Sequence, residues 1–144
     1  MMKRSEILRI LDVNFNRSRE GLRVCEEITR FVMEDEALTK EFKKIRHAVS
    51  HFLKKFPASP FELVASRDIS SDVGKNPSRL EKTQKGTVGI FLANAERVKE
   101  SLRVLEETSK FLDKKTSNEL KKIRFRTYAI EKKVLKKLET LHHR

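Results

Sequence analysis

The sequence has little of what marks a secreted, membrane-spanning or cysteine-rich metal protein. It contains one cysteine, three prolines, four glycines and no tryptophan among 144 residues. A single cysteine, Cys25, excludes a disulfide framework or a cysteine metal site within the chain, and packing is its expected role. There is no apolar run long enough to cross a bilayer and no signal peptide with an apolar centre. We therefore expect a soluble, cytoplasmic protein.

The common nucleotide-binding and hydrolase motifs are also missing. The sequence has no GxxxxGK[ST], GxGxxG, GxSxG or HExxH pattern. His47 has a phenylalanine, Phe125, at the equivalent place in the second half of the chain, which argues against a duplicated histidine chemistry. These absences exclude a standard P-loop, a Rossmann fingerprint and a serine or zinc hydrolase.

Positive charge is what the chain has in excess. It carries 33 Lys and Arg against 21 Asp and Glu, a formal net charge of +12. The lysines of the C-terminal segment fall opposite its apolar residues, as on a solvated helix face. No Arg- or Lys-rich motif interleaved with aromatic residues accompanies them. RNA binding by a basic helical bundle therefore remains an alternative that only the net charge supports.

One segment is written twice. NFNRSREGLRVCEEITRF at 14–31 returns as NAERVKESLRVLEETSKF at 94–111, with nine identities at a single offset where chance gives about one. KIR at 44–46 returns as KIR at 122–124. The repeat unit is therefore a helix hairpin, and polar residues are repeated along with apolar ones. The nine identical pairs are Asn14/Asn94, Arg17/Arg97, Glu20/Glu100, Leu22/Leu102, Arg23/Arg103, Val24/Val104, Glu26/Glu106, Glu27/Glu107 and Phe31/Phe111.

Apolar periodicity near 3.6 residues predicts an all-α fold. Two hairpins that each expose an apolar face should pack about a pseudo-two-fold axis as a four-helix bundle, with a long functional loop between them. We expect one domain over 1–144, with repeat 1 at about 5–56, a short helix and loop at 57–82 and repeat 2 at about 83–141. Five helices are expected. The first runs from near Ser5 to about Met33, the second from after Thr39 to Pro57, and a short third helix covers Pro60–Ala65 with Ser59 as its N-cap. The fourth starts between Thr83 and Thr87 and ends near Leu112, and the fifth runs from a Thr116–Glu119 capping box to about Leu141.

The repeated segment carries polar residues where an amphipathic helix should be apolar. On a helical wheel Asn14 and Arg17 fall in the middle of the apolar stripe, and Asn94 and Arg97 fall there in the second copy. The partner helices also place arginines on their inward faces, at Arg46 and Arg124. The bundle should bring these groups toward one central region, where buried guanidinium groups require anions.

Two sources of anions remain open. The chain can close an ionic network with glutamates that flank the same faces, namely Glu20, Glu27, Glu100, Glu107 and Glu131. Alternatively, the arginines are open to a phosphate-bearing ligand, because the guanidinium fork fits phosphate oxygens in the same bidentate way. In a mixed arrangement the glutamates orient arginines that a ligand completes.

The stretch from Ser66 to Gln84 lacks apolar periodicity and reads as a long loop. Asp68 and Asp72 are four residues apart within it, and Gly74 follows them. The two aspartates can hold Mg²⁺ beside a phosphate, or one can act as a general base on a hydroxyl, while Arg67 contacts a phosphate. The alternative is that both aspartates only cap turns or pair with neighbouring cations.

These segments resemble a known family. NFNRSREGLRVCEEITRF at 14–31, KIRH at 44–47, SRDISSDVGK at 66–75 and ANAERVKESLRVLEETSK at 93–110 are similar to the helical domain found alone or fused in front of thiamine phosphate synthase. That domain is described as an alternative hydroxymethylpyrimidine-phosphate kinase. The likeness covers nearly the whole chain and lacks the synthase barrel, which implies the stand-alone form.

The resemblance implies a role in thiamine biosynthesis, in which ATP phosphorylates hydroxymethylpyrimidine phosphate to the diphosphate. On this hypothesis Asn14, Arg17, Arg46, Arg67, Asn94, Arg97 and Arg124 bind substrate and phosphate, while Asp68 and Asp72 are catalytic or hold Mg²⁺. The alternative is a non-catalytic domain that binds a pyrimidine phosphate or scaffolds thiamine phosphate synthase. An exposed helix face is open to self-association, but no heptad seam requires it.

Overall fold

The computed structural model describes residues 1–74 and 86–142, and over these it is all-helical. The helices are α1 Arg4–Glu27, α2 Glu36–Lys55, α3 Pro60–Ala65, α4 Gly86–Ser109 and α5 Lys114–His142, and a π-helical turn, Ile28–Val32, extends α1. The predicted all-α class is thereby confirmed. Within the described ranges no helix has both the length and the apolar composition that a bilayer crossing needs.

The four long helices form a bundle. α1 packs mainly on α4 and α2, and α5 packs mainly on α4 and α2, while the short α3 lies against α1. Two phenylalanine pairs lie in the core. The ring centroids of Phe15 and Phe56, both in the first repeat, are 5.7 Å apart, and those of Phe42 and Phe91, which join the two repeats, are 6.1 Å apart. Aliphatic side chains from all four helices surround these rings. The core therefore depends on long-range contacts between the two repeats.

α1 and α4 approach each other closely at Gly21. A Cβ atom built on this glycine would lie 2.7 Å from Cγ2 of Val98 and 3.0 Å from the carbonyl oxygen of Asn94. A residue without a side chain is therefore what lets the two helix backbones come this near. The equivalent residue of the second repeat, Ser101, is also small and buried.

Two helices begin earlier than predicted, because an aspartate competes successfully for the N-cap. Asp35 accepts a hydrogen bond of 2.9 Å from the backbone N–H of Leu38, so α2 starts at Glu36 and not after Thr39. Asp113 accepts bonds from the backbone N–H of Lys115 at 3.0 Å and from the hydroxyl of Thr116 at 2.6 Å. Thr116 is thus a donor inside the first turn of α5 and not its cap.

The remaining helix ends are closer to expectation. Ser59 caps α3 as predicted, since its hydroxyl oxygen accepts a 3.1 Å bond from the N–H of Glu62. α1 begins at Arg4, one residue before the predicted Ser5, and its π-helical turn stops where Glu34 adopts a left-handed φ of 51°. α4 ends at Ser109, earlier than the predicted Leu112.

Candidate functional site

The two repeated asparagines bond to their own helices. Nδ2 of Asn14 donates to the carbonyl oxygen of Ile10 at 2.8 Å, and Nδ2 of Asn94 donates to the carbonyl oxygen of Ile90 at the same distance. Both side chains lie at least partly inward, as the helical wheel indicates. Each amide thus uses a donor within its own turn of helix, which is one way to bury it without a ligand.

Arg46 and Arg124 are indeed turned inward, and each meets a glutamate of its own hairpin. Nε of Arg46 lies 2.9 Å from Oε1 of Glu26, and its Nη2 lies 3.3 Å from Oε2. Arg124 binds Glu106 through the same two nitrogens, and this hydrogen bonding raises the pKa of the guanidinium. The closed ionic network is therefore present for these two arginines, once in each repeat.

The glutamates of this network are not those that the sequence predicts. Glu20, Glu27, Glu100 and Glu107 are exposed, whereas the side chains of Glu26 and Glu106 are only 6% and 4% exposed. Successive side chains on a helix point about 100° apart, so Glu27 and Glu107 face solvent although they directly follow the buried Glu26 and Glu106. The available signal was position, because Glu26 and Glu106 each follow a buried leucine, Leu22 or Leu102, by four residues and so lie on the same helix face.

Arg17 and Arg97 are exposed, so the prediction that both face inward is wrong. The buried residues of α1 and α4 put each arginine at the edge of the buried face and not in its middle, and a long side chain at such a position carries its charge to water. A central cluster of four arginines therefore does not form. The surroundings of the two residues differ, because Arg17 lies in a pocket beside the loop that follows α3.

This pocket, called here the loop pocket, has a volume of about 320 Å³ and lies between α1 and residues 67–72. Nε of Arg67 is 2.6 Å from Oδ2 of Asp12 and Nη2 is 3.0 Å from Oδ1, so a bidentate ion pair fixes the loop to α1 and raises the pKa of Arg67. The pocket is lined by Arg9, Asp12, Val13, Asn16, Arg17, Glu20, Arg67, Asp68, Ile69 and Asp72.

Asp12 is a residue that the sequence interpretation missed. Its side chain is 8% exposed, and it follows the fully buried Leu11 in the apolar stripe of α1. A carboxylate at such a position requires a cationic partner. That requirement was the signal for Arg67, which lies 55 residues further along the chain.

Both loop aspartates line the pocket, and both also stabilise turns. Asp68 accepts hydrogen bonds from the hydroxyl and N–H of Ser71 and from the hydroxyl of Ser70, and these bonds lower the pKa of its carboxyl. Asp72 accepts a 2.8 Å bond from the N–H of Gly74. The turn-capping alternative is therefore present, and it leaves both carboxylates at the pocket. Lys75 and the rest of the predicted loop lie outside the described residues.

The described residues contain no group of three or more His, Cys, Asp or Glu side chains arranged to hold a metal ion. Mg²⁺ in phosphate-transfer sites commonly uses only one or two protein carboxylates, with substrate phosphates and water completing its shell. Asp68 and Asp72 fit that smaller donor set, because both line the same pocket.

Two further pockets continue from the loop pocket along α1. The middle one, of about 440 Å³, is lined by Asn16, Arg19, Glu20, Arg23 and Arg46. The larger one, of about 570 Å³, extends from Arg23 and Arg46 to the π-helical turn and the start of α2. Neighbouring pockets share lining residues, so the three form one surface that we call the α1 groove. It lies on the first repeat.

The ThiD2 family model matches residues 9–133, a span that contains both repeated segments, 14–31 and 94–111, and the loop between the hairpins. The chain belongs to the ThiD2 family. The thiamine-phosphate synthase of Synechocystis sp. is 41% identical over 130 residues, which are 90% of this chain and 36% of the relative. That of Thermosynechococcus vestitus is 40% identical over 124 residues, which are 85% and 34%. That of Rhodopirellula baltica is 34% identical over 139 residues, which are 96% and 36%.

ThiD2 membership confirms the resemblance that the repeated NxxR segments and the RDxxxDVG loop indicate. The chain spans about a third of the length of the curated relatives it matches. No solved structure is a significant match. The ThiD2 match includes every residue that lines the loop pocket, from Arg9 to Asp72.

Proposed function

We propose that this ThiD2 chain acts in thiamine biosynthesis and transfers a phosphoryl group from ATP to hydroxymethylpyrimidine phosphate, which yields the diphosphate. The observation that carries the proposal is the loop pocket, where Arg9, Arg17 and Arg67 converge with Asp68 and Asp72. Relatives named thiamine-phosphate synthase support the biosynthetic assignment.

The chemistry asks for positioning and charge stabilisation more than for covalent catalysis. Arg9 and Arg17 present exposed guanidinium groups at the pocket, and Asp12 holds Arg67 in a fixed orientation beside them. A phosphate bound here meets several cations whose geometry is partly set in advance, which lowers the entropic cost of binding. The proposal assigns phosphate binding to these three arginines and leaves out Arg97 and Arg124.

Neither aspartate is needed as a general base in this reaction. The attacking atom is an oxygen of the substrate's own phosphate, which is largely ionised near pH 7 because the second pKa of such a group is about 6. That oxygen forms a bond to the terminal phosphorus of ATP, and the bond from that phosphorus to the bridging oxygen breaks to release ADP. Bound Mg²⁺ would offset charge on the phosphates, and the proposal assigns Asp68 and Asp72 to hold it.

The test is turnover of hydroxymethylpyrimidine phosphate with ATP and Mg²⁺, followed by chromatography of the diphosphate and ADP. Arg17→Ala should lower kcat/KM by about 30-fold, the equivalent of one lost charge-assisted bond of about 2 kcal/mol. Arg97→Ala is the matched control, because it removes an exposed arginine at the equivalent position of the second repeat. Equal losses in both variants would contradict this site and favour a symmetric one.

Asp72→Asn removes one carboxylate from the loop pocket and keeps a side chain that can accept the N–H of Gly74. We expect turnover to fall by at least about 100-fold with little change in melting temperature, since the residue is exposed. Full turnover in this variant would remove Asp72 from the mechanism.

A second candidate is a non-catalytic domain that binds the pyrimidine phosphate and serves thiamine-phosphate synthase as a partner. Two observations favour it: the relatives that carry this segment are named as the synthase, and both loop aspartates already accept hydrogen bonds within their turns. This candidate predicts that hydroxymethylpyrimidine phosphate raises the melting temperature without diphosphate formation. It also predicts that adding the chain accelerates the synthase.

A further inference from the structure

We propose that the middle pocket of the α1 groove, around Arg19, Arg23 and Arg46, binds the polyphosphate of a nucleoside triphosphate. We expect one such site and not two, because the equivalent cations of the second repeat are more completely paired with side chains of the protein. The inference deepens the proposed function and rests on it in one respect, namely that the donor polyphosphate lies next to an acceptor phosphate in the loop pocket.

The first repeat pairs fewer of its cations than the second. Arg23 meets Glu26 at 3.4 Å, but Arg19 forms no ion pair among the described residues. Three guanidinium groups, those of Arg19, Arg23 and Arg46, line a pocket of about 440 Å³ with a single lining carboxylate, Glu20. Arg46 is only 16% exposed and is held at Nε and Nη2 by Glu26, so its orientation is fixed before any ligand arrives. A guanidinium whose orientation is set in advance, beside the exposed Arg19 and Arg23, suits the phosphate oxygens of a polyanion.

The second repeat replaces Arg19 by a buried lysine that already has anions. Lys99 lies 3.0 Å from Oε2 of Glu131 and also pairs with Glu96. Burial alone would lower the pKa of Lys99, but hydrogen bonds to both glutamates outweigh that effect and raise it. Its ammonium group also lies 4.9 Å from the centre of the Tyr128 ring. This cation is therefore fully used within the protein.

The other equivalent arginines of the second repeat are engaged as well. Arg103, the counterpart of Arg23, pairs with Glu107 at 3.3 Å, and the guanidinium of Arg124, the counterpart of Arg46, lies 5.0 Å from the ring centre of Phe125. In the first repeat the positions equivalent to Phe125 and Tyr128 are His47 and Ser50. The smaller residue at Ser50, in place of the tyrosine, leaves room beside α1 that the second repeat lacks.

The middle pocket continues into the loop pocket. Asn16 and Glu20 line both of them, so a ligand in one pocket is adjacent to a ligand in the other. From Asn16 to Arg23 the helix rises by about 10 Å, or roughly two turns. Successive phosphate groups laid along α1 can therefore contact successive turns, with the terminal one nearest the loop pocket.

The experiment is isothermal titration calorimetry with two probes, ATP and inorganic tripolyphosphate, on the full chain at fixed ionic strength. The wild type should bind each probe with a stoichiometry of one. Arg23→Ala and Arg19→Ala should each weaken tripolyphosphate binding by about tenfold or more. Arg103→Ala, which removes an arginine of similar exposure from the second repeat, should leave the affinity within twofold.

A stoichiometry of two, or equal weakening by Arg23→Ala and Arg103→Ala, would overturn the inference, since either result means a symmetric or diffuse electrostatic attraction. The turnover assay separates the two proposals. If diphosphate forms at the wild-type rate in Arg23→Ala, the polyphosphate site is wrong and the kinase stands. If tripolyphosphate binds once and depends on Arg23 while no diphosphate ever forms, the site stands and the kinase is wrong.

Discussion

Replacing Gly21 by alanine tests the contact between α1 and α4. The added Cβ would lie 2.7 Å from Cγ2 of Val98 and 3.0 Å from the carbonyl oxygen of Asn94, both closer than ordinary van der Waals contact. A valine in a helix has essentially one side-chain rotamer, and the carbonyl is part of the α4 backbone, so neither atom moves aside easily. The two helices must separate by several tenths of an ångström instead.

The expected magnitude is the difference between two effects. Overpacking of this kind costs about 1–3 kcal/mol, whereas alanine gains about 1 kcal/mol over glycine inside a helix. The net change is a loss of up to about 2 kcal/mol, which corresponds to a fall in Tm of up to about 6 °C for a chain of this size. Gly89 is the matched control, since it also lies inside a helix, α4, and its Cβ would meet no atom within 4 Å.

The assay is thermal and urea unfolding of Gly21→Ala and Gly89→Ala, followed by circular dichroism. Gly89→Ala should raise Tm by about 2–3 °C, because only the propensity gain applies. If Gly21→Ala is as stable as Gly89→Ala, the helices do not approach closely at Gly21. The described packing of the two repeats would then be wrong.

Three further substitutions or treatments test other parts of the molecule. Glu26→Gln should cost about 2 kcal/mol in urea unfolding, because it leaves the largely buried guanidinium of Arg46 without its counter-charge. The pKa of the Asp35 carboxyl is lowered, mainly by the N-cap bond that it accepts from α2 and then by Lys137. The ionised carboxylate therefore stabilises the folded protein fully above its ordinary pKa, and this contribution is lost as the pH falls below about 4. Asp35→Asn should flatten that part of a plot of unfolding free energy against pH. Burial raises the pKa of the Cys25 thiol to about 12, so iodoacetamide at pH 8 should label it only after unfolding, and rapid labelling of the native protein would contradict its buried position.

The helices and the repeat could be predicted from the sequence because both depend on local or directly visible patterns. Periodicity of apolar residues identifies an amphipathic helix without knowledge of its partners. Identity at a fixed offset needs no structure at all. Helix starts were harder, because Asp35 and Thr39 are both acceptable caps and only the folded chain decides between them.

The candidate site was harder to predict than the fold. A helical wheel places Arg17 and Asn14 on one stripe, but it cannot tell that a long side chain at the edge of the stripe reaches solvent while a short amide remains inside. The ion pair of Asp12 with Arg67 joins segments 55 residues apart, which no local pattern reveals. The identities between the repeats also make their polar residues look equivalent. The ion pair of Lys99 with Glu131, which engages a cation that the first repeat leaves exposed at Arg19, is visible only in the folded chain.

Ligand binding to the α1 groove of the first repeat alone is what separates this site from a symmetric one. Its most direct test is a titration followed by ¹⁵N–¹H NMR, with hydroxymethylpyrimidine phosphate added first and ATP second. We expect the first ligand to shift the backbone amides of residues 9–23 and 67–72, and the second to extend the shifts to Arg46. The amides of Lys99, Arg103 and their neighbours on α4 should stay unchanged. Shifts of similar size at equivalent positions of α1 and α4 would contradict it and return the site to the symmetric arrangement.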